Sequence, residues 1–132
     1  MNPRDWAFET AVRTLWQEAR GEPDEGRQAV AHVIWNRLES RRWGCTLASV
    51  CLAPRQFSGW NDGDPNRMAV AEVPDDDRAL DHLRLILTAS QHASDPTEGA
   101  LYYYALSVRE PSWAKRKICT GRFGNQKFFK EK

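Results

Sequence analysis

Apolar residues recur at helical spacing along the first part of the chain. Phe8, Ala11, Val12, Leu15 and Trp16 fall on one stripe that Ala19 continues, which predicts a helix over Pro3 to Ala19. Gly21 and Pro23 stop it. The turn between them is short, so the next helix folds back close by. That second helix runs from about Asp24, a suitable N-cap, to Glu39, with Ala29, Val30, Val33, Ile34 and Leu38 as its buried face. Gly44 breaks the chain, and Thr46 to Leu52 reads as a short third helix capped by Thr46. From Ala53 to Val73 the periodicity is lost. Gly, Pro, Asn and Asp crowd the segment, which predicts a long loop, ordered by Phe57 and Trp60. Pro74 and three aspartates open another helix, with Leu80, Leu83, Ile86 and Leu87 on its apolar face through about His92. After Asp95-Pro96 the run G-A-L-Y-Y-Y-A-L is extended in propensity, and Thr120 to Phe129 suits a small hairpin or loop-strand element. The pattern predicts a mainly α (α+β) domain with a small extended part, and no internal repeat or linker divides it.

Composition narrows this picture. The 132 residues suffice for one domain, burying roughly 65–70% of the unfolded chain's surface. Lys and Arg number 19 against 18 Asp and Glu, so no bulk charge draws the chain to nucleic acid or to an anionic membrane. No apolar run approaches the roughly 20 residues of a membrane helix, and the N-terminal run carries no apolar signal-peptide stretch. Cys45, Cys51 and Cys119 are an odd set that describes no disulfide framework and reads as free thiols. His32, His82 and His92 fall in no metal-ligand spacing, so neither metal nor cofactor is expected. Six tryptophans are many for this length; they suit a core, a carbohydrate groove or an interface.

Glu18 leads the candidates for chemistry. It lies in the last turn of the first helix, three positions after Leu15 and seven after Ala11, on or beside the apolar face. The negative end of the helix dipole and nearby apolar side chains both push its pKa up, which suits a general acid. The alternative is a surface Glu paired with Arg20 or Arg13. Glu22 flanks Pro23 and reads as a turn or capping group. Asp62 and Asp64 are either the second carboxylate of a two-acid mechanism or turn formers. Ser58 has no evident His partner. In an extended run Tyr102 and Tyr104 face one way and Tyr103 the other, so one side is core and the other is free to line a cleft. Trp113 carries the same ambiguity. Asn36, late in an apolar helix, is expected to fasten a loop. The basic run Lys115-Arg116-Lys117 is either a solvated turn or a contact for an anionic polymer.

The run T-L-W-Q-E-A-R-G-E-P-D-E-G-R-Q-A-V-A-H-V-I-W-N-R resembles the signature of the SleB-type cell wall hydrolases, the spore-cortex-lytic enzyme family. L-A-P-R-Q-F-S, G-A-L-Y-Y-Y-A, a later Trp and the ending G-N-Q-K-F-F continue the resemblance over nearly the whole chain, in order. It implies a lysozyme-like, lytic-transglycosylase-like single domain over residues 1–132 that acts on peptidoglycan glycan strands. The bond cleaved would be the β-1,4 link between N-acetylmuramic acid and N-acetylglucosamine, with a 1,6-anhydro-muramyl product. By carry-over Glu18 is the catalytic acid, and Gln56, Phe57, Ser58, Tyr103 and Tyr104 line the cleft, with Trp113 as a further substrate contact. Aromatic rings would stack on sugar faces, and a few cations would meet peptide-stem carboxylates. Glu22 and Asn36 are supporting residues. Gln126 stands where the family usually has His, and is expected to anchor the tail. The resemblance and the missing signal stretch together suggest a monomeric, phage-type endolysin, made in the host cytoplasm and released by a holin; a virion-associated enzyme or a spore enzyme is the alternative. A hydrolysing lysozyme is the alternative mechanism. A peptidoglycan-binding module is the non-catalytic alternative. An amidase or peptidase would need a zinc site or a nucleophile with a base, and neither is visible.

Overall fold

Four of the expected elements form close to their predicted bounds in the computed structural model, which describes residues 3–53 and 56–132, the side chains of Pro3, Arg4 and Ser58 excepted. Helix α1 spans Pro3–Ala19 and α2 spans Asp24–Ser40. Arg41 ends α2 in the left-handed region at φ 61°, with its N–H on the Leu38 carbonyl. Helix α3, Leu47–Leu52, begins at a reciprocal cap: the Thr46 hydroxyl accepts from the Ser49 N–H, and the Ser49 hydroxyl accepts from the Thr46 N–H.

The segment expected as one long loop is more structured. A 3-10 turn covers Ser58–Trp60 and a helix, α4, covers Pro65–Ala71. The residues read as turn chemistry are its start signal: Asp64 accepts from the Asn66 N–H, and Pro65 occupies the first helical position. Two turns of helix are too short to show a period. Helix α5 runs Arg78–His92 and starts later than Pro74, because Asp77 is the cap and accepts from the Ala79 N–H. A further 3-10 turn, Ser112–Arg116, had no signal in the pattern.

Leu15, Val12, Val30, Val33, Ile34, Val50, Phe57, Leu80, Leu87 and Phe128 are fully buried in one core shared by the helices and the sheet. Each such side chain contributes about 1.5–3 kcal/mol by leaving water.

Strands β1 (Tyr102–Ala105), β2 (Ile118–Phe123) and β3 (Gln126–Lys130) form an antiparallel sheet in the order β1-β3-β2. Tyr103 pairs with Phe128, and Ala105 and Phe123 both pair with Gln126, so these side chains share the face turned to the helices. Tyr102 pairs with Phe129, and Tyr104 and Arg122 both pair with Lys127, which puts this second set on the outer face. Trp113 closes over the outer face, 5.3 Å from the Phe129 ring and 5.7 Å from Tyr102.

Candidate active site

The C-terminal turn of α1 delivers Glu18 beneath the inner face of the sheet. Its Oε1 accepts a hydrogen bond of 2.6 Å from the Tyr103 hydroxyl. Burial raises the Glu18 pKa, and the charge of Asp64 adds to the rise; the Tyr103 bond and the Arg37 charge pull the other way. The net shift is upward, so the carboxyl holds its proton to higher pH than an exposed glutamate. Burial and the neighbouring Glu18 hold the Tyr103 hydroxyl far above its ordinary pKa, so it stays a donor. Neither expected ion-pair partner turns to Glu18. Arg13 binds the carbonyls of Val70 and Val73 and the carboxylate of Asp75, while Arg20 binds Asn66 and lies over Trp16.

Arg37 is the site residue that the sequence reading missed. It is 4% exposed, its Nε donates to the Leu101 carbonyl at 2.8 Å, and its guanidinium lies 4.7 Å over Trp43 and 4.8 Å over Phe57. Its Nη1 is buried with no hydrogen-bond partner among the described residues. A buried, always-charged group with no paired carboxylate acts on its surroundings through its field, and Glu18 lies within that field. A signal was available: Arg37 falls three residues after Ile34 and seven after Val30, on the buried stripe of α2.

The segment 57–66 clasps the same end of α1. Gln17 Nε2 donates to the Gly59 carbonyl at 2.9 Å, and Trp60 Nε1 donates to the Thr14 hydroxyl at 2.7 Å. A Cβ at Gly59 would stand 2.7 Å from the Gln17 amide, so a side chain there would displace Gln17 from this bond. On the other side, Glu22 accepts from the Asn125 N–H and Nδ2 at 2.7 and 2.9 Å, tying the α1–α2 turn to the β2–β3 turn. Gly124 in that turn has φ 61°, and a Cβ there would meet Glu22 Oε1 at 2.7 Å.

The expected cleft residues separate. Tyr103 meets Glu18, whereas Tyr104 and Trp113 lie on the outer face of the sheet, because alternation along β1 sends neighbours to opposite sides. Phe57 is 1% exposed and packs in the core beneath Arg37. Gln56 is partly buried, and the Ser58 side chain lies outside the described residues. Asn36 Nδ2 donates to Asp95 Oδ2 and to the Ala100 carbonyl, fastening α2 to the loop ahead of β1. Gln126 lies on the inner face, 8% exposed, with its Oε1 buried and without a partner among the described residues; the bonds to Glu22 at this turn come from Asn125. Asp62 pairs with Arg67 and Asp64 caps α4, so both carboxylates carry structural bonds. Cys51, buried beside Thr14, has its thiol pushed up to about 12 by burial and is no nucleophile at neutral pH. A concavity of about 720 Å³ lies along the N-terminal half of α1 between Trp6, Phe8, Leu52 and Trp60, and Glu18 does not line it. The half-buried, aimed carboxyl therefore marks the site better than cavity size does.

The profile of the family described as Cell Wall Hydrolase matches residues 21–129. The chain belongs to the cell wall hydrolase family. The matched span begins just after Glu18, so it contains Arg37 and Tyr103 but not Glu18. Spore cortex-lytic enzymes of Oceanobacillus iheyensis and Bacillus subtilis are 34% and 32% identical over 106 and 121 residues, covering 77% and 89% of this chain. The chain spans about a third of the length of those curated relatives, 33% and 35%. The fold is that of the catalytic domain of the germination-specific lytic transglycosylase SleB from Bacillus anthracis, with a TM-score of 0.76, 25% identity and coverage of 98% of this chain and 97% of that one. The catalytic domain of the Bacillus cereus SleB protein superposes with a TM-score of 0.75 at 27% identity, over 94% and 89% of the two chains. The mainly helical domain that the apolar pattern predicted is thus the architecture of these catalytic domains, and its small extended part is a three-stranded antiparallel sheet.

Proposed function

We propose that residues 1–132 form one catalytic unit that cleaves the β-1,4 bond between N-acetylmuramic acid and N-acetylglucosamine in peptidoglycan, as a lytic transglycosylase. The observation that carries this reading is one half-buried carboxyl, Glu18, with a raised proton affinity and aimed by the Tyr103 hydroxyl. The similarity to a germination-specific lytic transglycosylase supports it. Glu18 gives its proton to the glycosidic oxygen, the bond from that oxygen to muramyl C1 breaks, and N-acetylglucosamine leaves with a free 4-hydroxyl. The Glu18 carboxylate, held by Tyr103 and favoured by the Arg37 charge, then takes the proton of the muramyl C6 hydroxyl. That oxygen bonds to C1 and closes the 1,6-anhydro ring. Glu18 ends protonated as it began, and no water is consumed.

A hydrolysing lysozyme would need a second carboxylate to activate water or to trap the sugar. Asp62 and Asp64 are the candidates the sequence offers, and both carry structural bonds, to Arg67 and to the α4 cap. This favours the one-acid mechanism. Among the described residues no group of three His, Cys, Asp or Glu is disposed to hold a metal, which gives an amidase reading no support. A phage-type endolysin is the finer reading of the same activity; co-expression with a holin, with lysis following holin triggering, tests it.

Mass spectrometry of soluble products from purified peptidoglycan, with wild type and Glu18→Gln in parallel, decides the mechanism. Products one water lighter than reducing muropeptides are expected from wild type, and a loss of at least about a hundredfold in the variant. Reducing-end products would mean a hydrolase. Lysis by Glu18→Gln within a few-fold of wild type would remove Glu18 from the chemistry. Retained wall binding with no products from wild type would leave a binding module.

A further inference from the structure

The near-neutral total charge conceals a division. Residues 101–132 hold eight Lys and Arg against two glutamates, while residues 1–100 hold eleven against sixteen Asp and Glu. The basic part is the sheet and its 3-10 turn. One of its two glutamates, Glu131, is engaged by Arg42, Lys117 and the Tyr102 hydroxyl. Arg122 and Lys127 stand directly opposite each other on neighbouring strands, on the outer face. Like charges so placed disfavour the sheet. Lys115 and Arg116 are exposed on the turn whose Trp113 packs over that face. None of these four cations forms a salt bridge to a carboxylate among the described residues. Tyr104 is paired with Lys127 on that face and its ring meets that of Trp113, each ring partly exposed.

We infer that the outer face of the sheet is a second docking surface, which holds a peptidoglycan glycan strand through the free carboxylates of its stem peptides. Four unpaired cations beside two partly exposed rings complement a polymer that alternates sugar faces with carboxylates. The face is turned away from Glu18, since Tyr103 points inward from the strand that presents Tyr104 outward. The strand held here is therefore not the strand being cut. It keeps the enzyme on the wall between cleavages. The inference rests on the proposed action on peptidoglycan.

The test is co-sedimentation of the full chain carrying Glu18→Gln with purified sacculi at low salt, with the same chain also carrying Lys115→Gln, Arg116→Gln, Arg122→Gln and Lys127→Gln alongside. The four substitutions are expected to weaken binding about tenfold. Amidating the stem carboxylates of the sacculi should weaken binding of the parent chain equally, without any change in the protein. Stripping phosphate polymers with hydrofluoric acid should leave binding intact. Unchanged binding after the substitutions or after amidation overturns the inference, and loss of binding on phosphate removal assigns the face to a phosphate polymer instead. Cleavage of short soluble glycan fragments by the active chain, with and without the four substitutions, should be equal. If neither cleaves, the proposed activity fails while sacculus binding still decides the docking surface.

Discussion

Glu18 is set by two opposing pairs of influences. Burial and Asp64 favour the acid; the Tyr103 hydroxyl and Arg37 favour the carboxylate. The proposed cycle uses both forms, so the balance matters more than either extreme. Removing the hydroxyl with Tyr103→Phe deletes a bond that favours the charged form. The pKa of Glu18 then rises further, and the alkaline limb of kcat/KM moves to higher pH. The rate at the optimum falls at the same time, because a hydrogen bond to a charged group is worth about 1.5–3 kcal/mol, or roughly ten- to a hundredfold. A pH profile of both proteins checks this. A lower rate with an unmoved limb would make Tyr103 a packing residue only. Arg37 and Asp64, the other charged groups acting on Glu18, are unchanged in this variant and set the remaining shift.

At the scale of elements, the sheet is fastened to the helices by carboxylates at its two ends. Glu22 grips the β2–β3 turn. Glu131, just beyond β3, accepts from the Tyr102 hydroxyl at 2.5 Å, Arg42 at 2.6 Å and Lys117 at 2.9 Å, and these three donors hold its carboxyl down to about 2. A depressed carboxyl contributes stability above its unfolded pKa, near 4.5, and loses it as pH falls through about 2. The side chain is 38% exposed, so screening limits the effect to about 1 kcal/mol. Glu131→Gln should therefore lower Tm by roughly 3–5 °C at neutral pH, with the gap closing toward pH 2; a gap independent of pH would mean that packing, not charge, fastens this end. Such ties join residues far apart in sequence, which is why local pattern did not reveal them. The stripes of α1, α2 and α5 were legible because each shows several turns of one period. Helix α4 was not, since its Asp64-Pro65 start reads equally as a turn. Glu18 was legible from its place at a helix end, but Tyr103 could be assigned inward only once β1 paired with β3. Arg37 was hidden because a charged side chain on an apolar stripe reads as a boundary of the stripe.

At the scale of the molecule, an acidic helical body carries a basic sheet, and the two halves respond differently to salt. The field of exposed cations is screened over about 30 Å at 0.01 M ionic strength and about 8 Å at 0.15 M. The Glu18–Tyr103 contact is a partly buried hydrogen bond at 2.6 Å and is far less sensitive. Activity on intact walls, which depends on being held there, should fall as salt rises across that range. Turnover of short soluble glycan fragments, which needs only the site, should stay nearly constant. Measuring both rates over one salt series separates holding from cutting. A parallel fall in the two would place the salt-sensitive charges inside the catalytic step, and Arg37 would then be the first residue to vary, because it is the buried cation that acts on Glu18.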